Sequence, residues 1–157
     1  MACGKRWKRL MGFRRKAREL ALQVLYQTDF SRSLAEACFP DTFWLDKEVQ
    51  PEVKAFTECL VKGVMQHKNE IDGIIQKNTE HWSPGRMAMV DRNILRFSIF
   101  ELIYLEDIPA KVTINEAIEI AKIYGNEESG AFVNGILDHI HHDRLTVHSA
   151  IKNGKTD

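Results

Sequence analysis

An all-α fold, a single compact bundle of about seven helices, is predicted by three features of this 157-residue chain. Apolar residues recur at helical spacing in most segments free of glycine and proline. No hairpin dipeptide is flanked by alternating, strand-like runs. The stretch from Met87 to Leu105 places Val90, Ile94, Phe97 and Ile103 on one side and Leu95, Ile99 and Leu102 on another. A helix apolar nearly all round is buried by other helices. Asp91, Arg92, Arg96 and Glu101 interrupt that stretch, and each is costly at a bilayer centre, so the expectation is a bundle's central helix rather than a membrane span.

The elements follow in order. Residues 1–12 mix charge with Gly4 and Gly12 without a sustained period and are expected to be a flexible basic tail, with Met11 as a second candidate start. From Phe13 to Thr28 a core stripe of Ala17, Ala21, Val24 and Leu25 predicts the first helix. Ser31 or Ser33 is placed to cap a short helix through Leu34, Ala37 and Cys38 that Pro40 ends. Phe43, Trp44 and Leu45 are expected in a loop that lids the bundle. Pro51 suits the first turn of a third helix buried through Val53, Phe56, Leu60 and Val64. The pattern weakens at 67–69, and Ile71, Ile74 and Ile75 begin a fourth helix or a bent continuation. Trp82 to Gly85 break the chain before the central helix.

After it, Pro109 biases Ile108 away from helical backbone. Thr113-Ile114-Asn115-Glu116 has the pattern of a capping box opening the sixth helix, with Ile114, Ala117, Ile118 and Ala121 as its core face. Gly125 is expected to end that helix in left-handed backbone. Ser129 is expected to cap the last helix, whose face is Phe132 or Val133 with Ile136, Leu137 and Ile140. The domain is thus expected over 13–143, followed by a flexible tail over 144–157.

Charge divides the chain although the formal total is zero. Eight of the 22 basic residues and none of the 22 acidic ones lie in the first eighteen positions. A basic arm on an acidic body suggests a polyanionic ligand for one and a different partner for the other; a solvated terminus is the plain alternative. Arg14, Arg15 and Arg18 sit at a helix N-terminus, where the dipole prefers acids, a local cost that points to function. Cys3, Cys38 and Cys59 are odd in number and lack a CxxC pair, which argues against a disulfide scaffold or structural zinc and for a reducing, cytoplasmic setting. No apolar signal-peptide core is visible.

Enzyme motifs are missing: GxGxxG after a strand, HExxH and GxSxG do not occur. Gly154-Lys155-Thr156 imitates a phosphate loop, but Ser149 stands where its first glycine belongs. His139, His142 and Asp143 have ligand spacing without a third strong ligand, so no metal or cofactor is expected. Asp91 and Glu101 are almost three turns apart, too far to act on one bond. Arg92 and Arg96 are expected to pair with acids of neighbouring helices.

Three segments, RRKARELALQVLYQ at 14–27, VDRNILRFSIFEL at 90–102 and DIPAKVTINEAIEIAKIYGNEESGAFVNGILD at 107–138, resemble the NusB family of bacterial transcription antitermination factors in order and spacing. The third is the most specific. The resemblance implies an all-helical, non-catalytic domain that, jointly with the ribosomal protein NusE, binds the single-stranded boxA element of nascent ribosomal RNA and so serves the RNA polymerase antitermination complex. On that reading Arg14, Arg15 and Arg18 are phosphate candidates, and Tyr26 and Phe132 are stacking candidates. The helix start at Ser129 offers backbone N–H groups, and the resemblance places Glu128 by the RNA and partner surface. It also points to Tyr26 and Asp91 on the surface that meets NusE. Phe132 has core packing as its alternative role, and Asp91 a purely helix-dipole one. The extended basic N-terminus and the 30–50 segment depart from the family pattern. Two alternative functions stand beside this one. One is an RNA-targeting module of an RNA methyltransferase, for which no methyl-donor domain is present. The other is a homodimeric interaction domain without RNA.

Overall fold

The computed structural model describes residues 11–31, 41–79 and 87–152. Among them are six α-helices: α1 (Met11–Ser31), α2 (Pro51–Gln66), α3 (Lys68–Asn78), α4 (Met89–Tyr104), α5 (Ala110–Tyr124) and α6 (Ser129–Lys152). A 3-10 turn spans Asp41–Trp44, and no strand occurs among the described residues. The short helix expected near residue 34, the break at 82–85 and residues 1–10 of the basic tail lie outside the described residues.

The central role expected of α4 is what the packing shows. It contacts each of the other five helices, and Ile94, Leu95, Phe97 and Ile99 are fully buried. α1 and α2 pair on one side, and α5 and α6 pair on the other. α2 packs on α4 at Gly63, where an added Cβ would fall 2.1 Å from the Phe100 ring. Only a residue without a side chain leaves that ring its place.

Of the charges that interrupt α4, Asp91, Arg96 and Glu101 are buried with it, and Arg96 and Glu101 are ion-paired. Arg96 donates two hydrogen bonds to Asp72 of α3, at 2.8 and 3.0 Å, and one to Asp29 of α1 at 2.6 Å. It therefore ties three helices, as a planar guanidinium with five donors can. Buried ion pairs add little net stability but make each partner costly to lose.

Four boundaries differ from the sequence expectation. α1 begins at Met11, inside the expected tail. α5 begins at Ala110, with Pro109 at its N-cap, so Thr113 lies a turn inside the helix and the capping box does not form. Both of its polar residues are spent on tertiary contacts, Thr113 on Glu101 at 3.2 Å and Glu116 on Arg15. Gly125 ends α5 at φ −93° and ψ −163°, not in left-handed backbone. Its requirement is steric, since a Cβ there would lie 2.3 Å from Ser129 Oγ. α6 runs on to Lys152 because no glycine or proline interrupts 144–152. Arg144 also donates to the Leu102 carbonyl, one of the orphan acceptors at the end of α4.

The lid expectation is met in part: Phe43 and Trp44 pack edge to face at 4.8 Å against the core, whereas Leu45 is 80% exposed. α2 and α3 are separate helices broken at His67. No helix among the described residues is long and apolar enough to cross a membrane.

Candidate nucleic-acid interface

The three arginines of α1 have three different fates, which helical phase decides. Arg14 and Arg18, four positions apart, share the inward face. Their guanidinium carbons lie 5.1 and 5.4 Å from the centre of the Phe56 ring of α2. Arg18 closes a two-bond fork on Glu101, with Nε and Nη2 donating at 2.8 and 2.6 Å. Burial opposes its charge, but Glu101 outweighs burial and the Arg18 pKa is raised. Arg18 is 1% exposed and Arg14 8%. Of the three arginines expected as phosphate candidates, Arg14 and Arg18 thus face the core, because the apolar stripe of α1 turns that side inward.

Arg15 faces outward and keeps 34% of its side chain exposed. It makes a two-bond pair with Glu116 of α5, and that hydrogen bonding raises its pKa, with Glu119 and Glu19 contributing at longer range. Its neighbour Lys16 is exposed.

Eleven positions beyond Arg15, and hence on the same side of α1 about 16 Å further along, Tyr26 is 39% exposed. It lines a groove of about 420 Å³ together with Lys16, Gln23, Val90 and Tyr124. Tyr124 is 47% exposed, and burial together with Glu19 raises its phenol pKa. The groove thus joins an exposed lysine, amide side chains and two half-open tyrosine rings. Those groups suit phosphate, base edges and base faces respectively.

The groove leads to the start of α6. Gly125 follows Tyr124 and abuts Ser129, while Asp91, which follows Val90, is influenced by the Ser129 hydroxyl. Asp91 is 6% exposed; burial raises its pKa, and Ser129 pulls the other way. Tyr26, Asp91 and Ser129 are therefore brought to one neighbourhood from three helices. Ser129 is not the cap expected from sequence. It is the first residue of α6, is 1% exposed, and its Oγ accepts from Asn126 N–H at 2.9 Å. The Glu128 carbonyl accepts the first helical bond, from Phe132 N–H at 3.0 Å, and the Glu128 side chain is exposed. Phe132 is half-buried and packs against the core cluster, so part of the ring serves packing.

Lys16, Tyr124 and Asn126 are the residues that sequence reasoning missed. Tyr124 adjoins the glycine break that was read, but its spacing gave no sign of which way the ring faces. Elsewhere, His139 Nδ1 lies 2.6 Å from Asn78 Oδ1 and 3.8 Å from Asp143. Among the described residues no three potential ligands cluster around a metal position.

A family model described as the NusB family matches residues 15–142. The transcription antitermination protein NusB of Myxococcus xanthus is 45% identical over 133 residues, covering 83% of this chain and 95% of that protein. A structure of T. maritima NusB superposes with a TM-score of 0.70 at 40% identity, covering 82% of this chain and 90% of that one. A crystal structure of antitermination factors NusB and NusE in complex with dsRNA superposes with a TM-score of 0.75 at 30% identity, covering 85% of this chain and 98% of its counterpart.

Proposed function

This chain belongs to the NusB family, and from that membership we propose that it is a non-enzymatic transcription antitermination factor acting as an RNA-binding adaptor. In this reading it binds the boxA element of a nascent ribosomal RNA jointly with NusE and helps RNA polymerase read through terminators. The observation that carries it is the continuity between the tyrosine-lined groove on α1 and the start of α6.

Arg15 and Lys16 would meet phosphates, while Tyr26, Tyr124 and the open part of Phe132 would meet bases. Tyr26 and Asp91 would face NusE, whose basic character as a ribosomal protein complements the acidic body of this chain. Arg14 and Arg18 contribute by holding α1 in place.

The test is a titration of a short boxA-like RNA with and without NusE. Affinity is expected to rise on adding NusE and to fall with salt in proportion to the phosphates contacted. A single strand is expected to bind more tightly than a duplex of the same sequence. Affinity indifferent to NusE would overturn the adaptor reading, and equal binding of the duplex would overturn the single-strand reading.

A further inference from the structure

A base stacked on Phe132 brings a phosphate with it, and α6 has no cation to meet that phosphate. The sequence holds no lysine or arginine from 123 to 143. Arg144, the first to follow, stands about three turns beyond Phe132 and donates to the Leu102 carbonyl. On the turn before α6, Glu127 and Glu128 are exposed acids that repel phosphate. The positive charge has to come from a neighbouring helix.

α5 supplies it. Gly130, in the first turn of α6, is buried, and the stem of Lys122 lies over it. A Cβ added at Gly130 would sit 3.4 Å from Lys122 Cγ and 3.7 Å from its Cε, with Ile118 Cγ2 at 3.8 Å. The methylenes thus run along α6 while the ammonium stays in water, as a lysine on an apolar surface does. Packing of the stem restricts its rotamers before any ligand arrives, so less freedom is lost on binding. The ammonium lies 3.4 Å from Glu119 Oε1, in a pair whose side chains are 62% and 50% exposed. A pair so open contributes little, and a phosphate can take the place of Glu119 at small cost.

Glu119 also relates Lys122 to Arg15. Glu116, which pairs with Arg15, is three positions before Glu119 and therefore its neighbour on the surface of α5. Lys122 is three positions further on, so the stripe of Glu116, Glu119 and Lys122 winds across α5 from the α1 side to the α6 side. Its two ends differ by about 9 Å along the helix axis. We propose that Lys122 is a phosphate-binding residue of the RNA interface, which neutralises the backbone beside the base on Phe132 while Arg15 holds the strand at the other end of the stripe. The proposal rests on the function proposed above and adds the cation that the α6 end of the interface lacks.

The measurement is the affinity of the full chain, with saturating NusE, for a short single-stranded RNA, read by fluorescence anisotropy at several salt concentrations. Lys122→Met keeps a stem on Gly130 and removes the charge. It is expected to weaken binding about fivefold whatever the RNA sequence and to lower the salt slope by about one, with the thermal midpoint unchanged. Lys122→Arg is expected to keep affinity and slope near those of the parent. A residue that only packed against α6 would move the midpoint and leave the slope as it was. Parental affinity and slope in Lys122→Met overturn the proposal, as does a loss confined to NusE binding measured without RNA. Absence of RNA binding by the unsubstituted chain with NusE overturns instead the function on which it rests.

Discussion

Arg18 and Glu101, 83 positions apart, form a two-bond ion pair whose side chains are 2% and 0% exposed. Thr113 donates to the same carboxylate from α5, so one acid joins α1, α4 and α5. Removing a single partner strands a charge in the core. Arg18→Ala and Glu101→Ala are each expected to lower stability by about 3–5 kcal/mol, whereas the double replacement Arg18→Met with Glu101→Leu is expected to recover much of that loss. Urea denaturation of the three variants is the measurement.

Arg15 presents the opposite case. Its pair with Glu116 is partly open to water, so Arg15→Ala is expected to change stability by less than about 1 kcal/mol. RNA affinity, by contrast, should fall by roughly 1 kcal/mol across sequences, with the salt slope reduced by about one. Equal RNA affinity before and after substitution would remove Arg15 from the interface.

Stacking predicts a different signature. Tyr26→Ala, at an exposed position, should weaken RNA binding by about 1–3 kcal/mol with little effect on folding. Phe132→Ala should lower both RNA affinity and the thermal midpoint, because its ring also packs on the core. Binding and unfolding measured on the two variants separate these roles.

Asp91 gives a pH dependence with a definite sign. Its folded pKa is raised by burial, so its ionised form destabilises the fold at pH values above that raised pKa. The cost fades as pH falls through the folded pKa and is absent below the ordinary carboxylate value. Asp91→Asn is therefore expected to raise the thermal midpoint at neutral pH, with no gain in strong acid, while weakening NusE binding. Thermal unfolding across pH checks the sign.

Gly63→Ala tests the packing of α2 on α4. The new methyl would meet the Phe100 ring, and overpacking of this kind costs about 1–3 kcal/mol. A variant as stable as the parent would mean that Phe100 moves aside freely.

Helices were legible in the sequence because their signal is local: an apolar stripe repeating every 3.6 residues identifies an element whatever it packs against. Thus α4 was identified as the centre from residues 87–105 alone, and the motifs around Tyr26, Asp91 and Glu128 carried the family. What only the tertiary structure decided was the use of each polar group. Arg14, Arg15 and Arg18 are one kind of residue in a basic run, yet helical phase sends two onto Phe56 and one to the surface. Thr113 and Glu116 fit a local cap, but acids and cations brought close by folding claim them first. A hydrogen bond or ion pair is set by distances between remote segments, and those distances exist only once the helices have packed.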